Sequence, residues 1–466
     1  MDTLNSNRTV LVVSCMASFI TPFLASSVNV ALPTINSDFA VTDQALLGWV
    51  VTGFLLSAAI FVVPFGRIAD VFGRKRIFVI GLLVLIVSSF LCSISGSIYM
   101  LIASRAVEGF GSAMIFGTSI AILTSAYPSS VRGRVLGINV AVVYLGASTG
   151  PFLGGLITQY AGWRFIYAGT MVYALLIALL TLAKIKDEWR CAETEKFDIV
   201  GSALYAIALF SLMYGLSLIP DLTGAHLLAF AVIAMIVFFR WELRNKNPVL
   251  KVSAFRNNAV FTFSNLAALI NYSATFGVAF LLSLYLQFIK GYSPQTAGLI
   301  LVSQPIVQAV FSPFAGRLSD RVEPRIVASA GMSLCVIGLG LFSFLVPSTS
   351  LGQIIISLIF MGLGFALFSS PNTNAIMSSV DRCDYGVASG MVSTMRLIGQ
   401  MTSLGIATLI FTLIMGHSEI SPGQLGSLMT SIRISFAIFA VLCVIGVGFS
   451  LARGNLKRDL EASRTG

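Results

Sequence analysis

Apolar runs of about 20 residues recur along the whole chain and constrain its fold more than any other feature. A run of this length crosses roughly 30 Å of hydrocarbon as a helix, because backbone groups in lipid must be hydrogen-bonded within the segment. The chain is therefore predicted to be an all-α membrane protein with fourteen transmembrane helices. The approximate spans are 10–32, 45–65, 77–97, 100–124, 136–158, 163–183, 198–219, 225–241, 259–288, 296–316, 326–346, 351–373, 387–415 and 432–452.

Composition excludes several classes of protein. Of the 466 residues, 56% are hydrophobic and 10% are charged, whereas a soluble globular protein has about 25% charged residues. An enzyme is not expected, because the chain has two histidines, no Cys-x-x-Cys pair and no nucleotide-binding glycine loop. No catalytic residue, metal site or cofactor is therefore predicted, and four of the six cysteines lie in apolar runs where a thiol behaves as a small hydrophobic group.

The basic residues are distributed unequally between the two sides of the predicted membrane. Of 29 Lys and Arg residues, 24 fall in or at the edges of alternate loops and in the two ends, three (Arg164, Lys290 and Arg433) fall in or at the edges of the other loops, and two (Arg105 and Arg396) lie well within spans. Positive residues accumulate on the cytoplasmic side, so both termini are predicted to be cytoplasmic in the cell membrane. The net charge of +10 is then a matter of topology and does not indicate nucleic-acid binding.

Two halves of the chain repeat. Gly66–Asp70 reads GRIAD and Gly316–Asp320 reads GRLSD, 250 residues later, each at the end of a span. Two parallel halves are typical of membrane transporters. The predicted organisation is a six-helix bundle in 1–184, an inserted helix pair with its linkers in 185–256, and a second six-helix bundle with a short tail in 257–466. A twelve-span chain would require that the closely spaced seventh and eighth runs both be something else.

The segment from Gly66 to Arg76 is predicted to form a tight turn between two helices. Asp70 can cap the next helix or pair with a cation of a neighbouring helix; alternatively, the segment only sets topology. It resembles the loop signature of the major facilitator superfamily, which implies a fold of two six-helix bundles and a cytoplasmic gate. The gate residues implied are Gly66, Asp70, Gly73, Arg74, Gly316 and Asp320.

The fourth span contains two charged residues, Arg105 and Glu108, whose spacing puts them on one face of the helix. Charges within a membrane cost about 2.5–3.5 kcal/mol each on insertion scales, so they indicate function unless they form a self-neutralising structural pair. The segment resembles the fourth-span signature of proton-coupled superfamily members, although Glu108 stands where that signature has Gln. We predict that Glu108 and Arg105 couple transport to protons.

The fifth span is rich in small residues and resembles the antiporter signature of drug-exporting superfamily members. Small residues let helices approach closely, and a proline removes one backbone donor. The residues concerned are Gly146, Gly150, Pro151, Gly154 and Gly155.

Further segments resemble the fourteen-span drug:proton antiporter branch, in which an inserted helix pair separates the two bundles. They are 28–33, 197–201, 285–287, 291–294 and 386–390, with Arg396 and Gly399. The branch has an Asp five residues before Asn29, where this chain has Leu24. The proton or cationic-drug role of that Asp is therefore not expected here.

The resemblance implies efflux of amphipathic drugs or toxic compounds in exchange for protons, by alternating access around a central cavity. Polar and aromatic residues predicted to line that cavity are Asn29, Tyr144, Asn271, Tyr272, Tyr285, Gln287 and Arg396. An exporter or flippase for an endogenous metabolite or lipid is the alternative. The predicted partners are the lipid bilayer, small amphipathic substrates and protons, and a monomer is expected.

Overall fold

The computed structural model describes residues 2–40, 44–190, 197–219, 221–245, 248–250, 258–416 and 425–454. Regular structure in these ranges is helical throughout. Fourteen segments are long and apolar enough to cross a membrane, which confirms the predicted number of spans.

The first eight spans are single helices. They are α1 (Asp2–Phe39), α2 (Gln44–Phe72), α3 (Arg74–Ser93), α4 (Ile98–Ala126), α5 (Ser129–Tyr160), α6 (Arg164–Lys184), α7 (Ile199–Ser217) and α8 (Leu222–Glu242). α5 continues through Pro151 as one helix, with the proline on its exposed side.

The ninth and tenth spans differ from the continuous helices predicted, because each is broken once and the ninth also ends in a π-helical turn. They are α9 (Ala259–Thr275) with α10 (Val278–Leu284) and a π-helical turn (Tyr285–Ile289), then α11 (Pro294–Leu301) with α12 (Ser303–Arg321). At the first break the backbone N–H of Gly277 donates to Ser403 Oγ at 2.9 Å, so a side chain satisfies the group that leaves the helical pattern.

The remaining spans are again single helices. They are α13 (Pro324–Ser343), α14 (Leu351–Ser378), α15 (Tyr385–Met415) and α16 (Leu425–Ala452), and a short 3₁₀ turn (Arg382–Asp384) precedes α15.

The chain divides into two compact units. The first unit comprises Met1–Ala206, Val237–Val252 and Val380–Thr394, and the second comprises Ile207–Ile236, Ser253–Ser379 and Met395–Gly466. The predicted domain boundaries after residues 184 and 256 remain predictions.

Helix pairing repeats between the units. In the first unit, α4 packs against α2 and α3, and α3 packs against α6; in the second unit, α14 packs against α12 and α13, and α13 packs against α16. The bounds of α3 and α13 differ by 250 residues at both ends. The loop that follows is three residues longer in the second unit, so α4 and α14 begin 253 residues apart.

Glycines at these same offsets mediate the close helix contacts. A Cβ atom at Gly81 would overlap with Met114 Cβ of α4 and would lie only 3.0 Å from the Gly111 carbonyl oxygen, and a Cβ atom at Gly331 would overlap with the α14 backbone at Gly364. Gly109 likewise lies against the Phe54 carbonyl oxygen. The equivalent contact in the second unit joins Gly362 and the Gln304 carbonyl oxygen. The repeat is thus present in the packing as well as in the sequence.

The turn predicted over Gly66–Arg76 is much shorter in the structure. Gly66–Phe72 forms the last turns of α2, and α3 starts at Arg74, so Gly73 alone changes the chain direction. Its φ of +116° lies in a region that favours glycine, since a side chain there is strained. The motif is therefore mostly helix, and its polar side chains project from regular structure.

Candidate functional site

Arg105 and Glu108 form an ion pair in the interior of the first unit, on the same face of α4 as their spacing predicts. Arg105 Nη1 lies 2.5 Å from Glu108 Oε2, and both side chains are fully buried. Ser89 of α3 donates to the other carboxylate oxygen, Oε1, at 2.7 Å. The carboxylate thus has one charged and one neutral partner.

The guanidinium of Arg105 is surrounded by backbone and aromatic groups. Its Nε donates to the Val50 carbonyl at 3.0 Å, and its Cζ lies 4.2 Å from the ring centroid of Phe54 and 5.9 Å from that of Tyr167. Arg105 Nη2 and the Tyr167 hydroxyl are buried without a hydrogen-bond partner among the described residues. The pair therefore retains unused hydrogen-bonding capacity beside a carboxylate.

Asp70 caps a helix that lies far along the chain, not the next helix. Both of its oxygens accept the backbone N–H of Gly386 at 2.9 Å, and Oδ2 accepts that of Val387 at 3.1 Å. These donors belong to the first turn of α15, where N–H groups have no partner within the helix. Asp70 also pairs with Arg74 at 2.7 Å.

Further contacts hold this helix end, and all lie within the first unit. Arg74 donates to Ser125 Oγ at 2.5 Å and to the carbonyl oxygen of Arg382. Arg67 lies 3.4 Å from Asp384. Gly66 lies so close to Gly386 that a Cβ atom on either residue would overlap with the other's carbonyl oxygen. We call Asp70, Arg74 and the first turn of α15 the latch.

Residues of the predicted gate from the second half lie elsewhere, at the end of α12. Gly316 is buried and Asp320 is half-buried there. Both belong to the second unit.

The antiporter glycines form a contact face along α1. A Cβ atom at Gly146, Gly150 or Gly154 would overlap, in turn, with the Phe19 carbonyl, Ser26 and Ser27. Gly155 borders this face near Val30. The four-residue spacing of three glycines thus explains why α1 and α5 lie together along their length.

The residues predicted to line a substrate cavity are divided between the units. Asn29 (exposed) and Tyr144 (half-buried) belong to the first unit. The other five belong to the second unit: Asn271, Tyr272 and Tyr285 are buried, and Gln287 and Arg396 are half-buried. Their convergence on one cavity remains a prediction.

Two of these cavity candidates form side-chain hydrogen bonds within the second unit, and a third has none to the described residues. The Tyr285 hydroxyl donates to the Val346 carbonyl at 2.7 Å, and Gln287 Nε2 donates to Ser283 Oγ at 2.8 Å. Both side-chain polar atoms of Asn271 are buried without a hydrogen-bond partner among the described residues.

Sequence reasoning missed the groups that complete the Arg105–Glu108 pair and the latch. Ser89 is one of many serines in apolar helices, and nothing in the sequence marks it as the partner of Glu108. The first turn of α15 lies within a segment noted for its family resemblance. That its backbone N–H groups donate to the carboxylate of Asp70 depends on tertiary structure, which the segment alone does not indicate. The available signal was the glycine at position 386, which permits close contact with Gly66.

Comparisons with known proteins agree with this architecture. The family described as Major Facilitator Superfamily matches residues 14–261 and 264–464. The chain is 27% identical over 441 residues to the riboflavin transporter RibZ of Clostridioides difficile (strain 630), covering 94% of this chain and 95% of that protein. It is 31% identical over 389 residues to the multidrug resistance protein Stp of Mycobacterium tuberculosis (strain CDC 1551 / Oshkosh), covering 82% and 71%.

A solved structure supports the same fold. The human organic anion transporter MFSD10 (TETRAN) superimposes with a TM-score of 0.71 at 14% sequence identity, over 95% of this chain and 99% of that one. The family match covers most of the sequence and the fold agrees with it. The chain therefore belongs to the major facilitator superfamily and is a multi-pass membrane transporter, not an enzyme.

Proposed function

We propose that this transporter exports amphipathic compounds across the cell membrane in exchange for protons, by alternating access, with Glu108 as the proton-binding group. The observation that carries the proposal is a difference between the two repeats. At the 253-residue offset of α4 and α14, Arg105 corresponds to Leu358 and Glu108 to Met361. Both of these apolar side chains are fully buried.

The same packing position is therefore filled by an ion pair in one repeat and by apolar side chains in the other. Burying two charges in a low-dielectric interior carries a desolvation penalty that their attraction offsets only in part. A helix pair of this kind does not require the charges for packing. Their presence in one repeat is consistent with a role in transport.

The surroundings of Glu108 suit proton exchange. Arg105 stabilises the ionised carboxylate, whereas burial favours the protonated form. A change in helix packing that separates the pair or admits water would alter that balance. Arg105 Nη2 and the hydroxyl of Tyr167, whose ring lies near the Arg105 guanidinium, have no hydrogen-bond partner in the described part of the chain, so both can bind water that enters during the cycle.

The latch supports a cycle in which helix ends separate and rejoin. Asp70 is held by hydrogen bonds from the first turn of α15 and by Arg74, so its release exposes several groups that can each be satisfied by water. Such contacts are reversible, because the partners lost in one state are replaced by solvent in the other.

Substrate charge is the least constrained part of the proposal. Leu24, at the position of the family's acidic residue, is fully buried. Arg105 and Arg396 are the cations well inside the spans predicted from sequence, where Glu108 is the only acid. This balance favours neutral, zwitterionic or anionic amphiphiles over strict selection of cations. The resemblance to a multidrug resistance protein supports drug export.

The test is transport by purified protein in proteoliposomes, with an imposed pH gradient and a panel of cationic, neutral, zwitterionic and anionic compounds that includes ethidium and riboflavin. Glu108→Gln is expected to abolish transport driven by the gradient, while exchange of the same compound across the membrane without a gradient continues. Unchanged gradient-driven transport in this variant would overturn the coupling role.

Because Glu108→Gln leaves the buried Arg105 without a charged partner, this single variant can yield less folded protein than wild type. The double variant Arg105→Gln with Glu108→Gln removes both charges and keeps hydrogen-bonding side chains. If this variant folds and still couples transport to the gradient, Glu108 is structural.

A second candidate is transport of an endogenous metabolite, favoured by the similarity to a riboflavin transporter along 94% of the chain. Cells with and without the protein distinguish the two candidates. Drug export predicts lower accumulation of ethidium or other test drugs in cells that contain it, whereas metabolite export predicts a change in extracellular riboflavin or a related metabolite without drug resistance.

A further inference from the structure

The segment Phe197–Gly201, noted above for its family resemblance, lies against the end of α8 in the first unit. Asp198 precedes α7, and its Oδ1 accepts the backbone N–H of Gly201 at 2.9 Å. This contact satisfies one of the free donors at the start of α7. Asp198 therefore acts first as a helix cap.

The other oxygen of Asp198 accepts hydrogen bonds from two residues that follow α7 in the chain. Its Oδ2 accepts from Trp241 Nε1 at 2.9 Å and from Asn245 Nδ2 at 2.5 Å. Three N–H donors thus occupy the two oxygens of this carboxylate.

Glu242 lies beside it and is much less well satisfied. Its Oε2 accepts the backbone N–H of Leu250 at 3.0 Å, but its Oε1 is buried with no hydrogen-bond partner in the described part of the chain. The residue is only 3% exposed. An ionised Glu242 would thus bury an uncompensated oxygen next to a second carboxylate.

Gly201 brings the two carboxyl groups together. A Cβ atom at this position would overlap with both Asp198 Oδ2 and Glu242 Oε1. The two oxygens therefore lie within about 5 Å of each other, a range in which like charges disfavour simultaneous ionisation. The two oxygens occupy the space that a side chain at position 201 would need, which explains why this segment has a glycine there.

We propose that Asp198 and Glu242 form a second proton-binding site, separate from Glu108, in which the two carboxyl groups hold one proton at the end of the α7–α8 pair. The proton resides on Glu242 Oε1, because Asp198 already accepts three hydrogen bonds. Two interacting acids of this kind titrate as a pair.

A metal cation fits this position less well than a proton. The Trp241 and Asn245 N–H groups point at Asp198 Oδ2, where a metal ion would need an unoccupied lone pair. No group of three or more His, Cys, Asp or Glu residues suited to a metal ion occurs in the described ranges.

Among the described residues, Arg67 of a neighbouring helix is the cation that acts on this site. Arg67 of α2 interacts electrostatically with Glu242, whereas Asp198 of the α7 start repels it. Arg67 also lies 3.4 Å from Asp384, just before α15. When the proton leaves, Glu242 offers Arg67 a second carboxylate, so the occupancy of the site affects the ion pair beside the latch.

The experiment is infrared spectroscopy of the purified full-length protein in detergent as pH is varied, with thermal stability measured alongside. Wild type is expected to show a carboxylic-acid C=O absorption at neutral pH that Glu242→Gln removes. The melting temperature of wild type should fall as pH rises through this titration, since the folded protein binds the proton more strongly than the unfolded chain, and that of Glu242→Gln should stay level.

A second variant keeps the test valid if Glu242→Gln fails to fold. Asp198→Asn retains a capping side chain but removes the neighbouring charge, so the titration should move to lower pH. Asp381→Asn, at an exposed acid of the first unit, is the matched control and should leave the titration in place.

Three results would overturn the proposal: a carboxylic-acid absorption that is as strong in Glu242→Gln as in wild type, a titration that does not move in Asp198→Asn, or stabilisation of wild type by NaCl over choline chloride that Glu242→Gln abolishes. The last result would identify a sodium site. Glu108→Gln should keep the titration, which separates this site from the proposed coupling residue.

Discussion

The two repeats share their helix pairing but differ in what fills one buried position. In the first repeat the position contains Arg105 and Glu108 with Ser89, and in the second it contains Leu358 and Met361 with Leu339. Ser89 and Leu339 are related by the 250-residue offset of α3 and α13. Three polar side chains in one half thus correspond to three apolar side chains in the other.

This difference distinguishes features that the fold requires, which occur in both repeats, from features that occur in only one repeat. The close glycine contacts and the serine helix caps occur in both repeats at the same offsets, so they belong to the architecture. The ion pair occurs in one repeat only, in a packing environment that apolar residues fill equally well. Charges at such a place point to a task other than packing.

The largest expected effect comes from replacing only one member of the ion pair by the residue at the equivalent position of the second repeat. Glu108→Met alone leaves Arg105 buried without its partner and should lower the free energy of unfolding by about 3–5 kcal/mol. Arg105→Leu with Glu108→Met should restore stability to within about 1 kcal/mol of wild type, because an apolar pair replaces an ion pair.

The measurement is the midpoint of unfolding in mixed detergent micelles at rising SDS fraction. A double variant as unstable as the single one would show that the repeats are not equivalent here. Restored stability without gradient-driven transport would sharpen the assignment of the charges to function.

The next effect concerns the latch, whose arginine is also confined to the first repeat: Arg74 corresponds to Pro324 at the start of α13. Asp70→Ala should destabilise the protein by about 3 kcal/mol, because it leaves a buried guanidinium without its anion. Asp320→Ala, at the equivalent but half-buried position, should cost less than half as much in the same unfolding assay. Equal losses would contradict the asymmetry.

Glycine contacts should behave alike in the two repeats. Gly81→Leu and Gly331→Leu each force a side chain against the backbone of the adjacent helix, with an expected loss of about 1–3 kcal/mol. Gly340→Leu is the control, since no atom lies within 4 Å of a Cβ atom there. A loss at one glycine alone would show that the packing is less symmetric than the helix bounds suggest.

Substitutions at the helix caps are expected to have the smallest effects on stability, and the effects in the two repeats should be most nearly equal. Ser97 accepts the N–H of Met100 at 3.2 Å, and Ser350 accepts that of Gln353 at 3.3 Å. Ser97→Ala and Ser350→Ala should each lower stability by about 1 kcal/mol. Ser93→Ala and Ser343→Ala, where the hydroxyls bond within the last turn of a helix, should change the unfolding midpoint less.

Much of the fold follows from the sequence because lipid imposes simple rules. Apolar runs of sufficient length must be helical, which gave the fourteen spans, and spacing placed Arg105 and Glu108 on one face. Contacts between distant helices could not be derived in this way. Asp70 was expected to cap the next helix or pair with a neighbouring cation, and it does pair with Arg74 but caps α15 instead.

Other features depended on details that hydropathy does not encode. The breaks in the ninth and tenth spans were missed, since Gly277 and Ser403 are unremarkable in apolar helices until their backbone and hydroxyl meet. Asp198 and Glu242 are 44 residues apart and lie at helix ends, where charged residues are ordinary. Only the packing across Gly201 brings them together.

The capping of α15 by Asp70 has a consequence for how the protein is made. The two partners are separated by 316 residues, so a growing chain contains the carboxylate long before its backbone donors have been synthesised. Until then Asp70 has Arg74, only four residues away, as its buried companion. The local ion pair can thus keep the end of α2 competent for assembly while the ribosome completes the helix that it will cap.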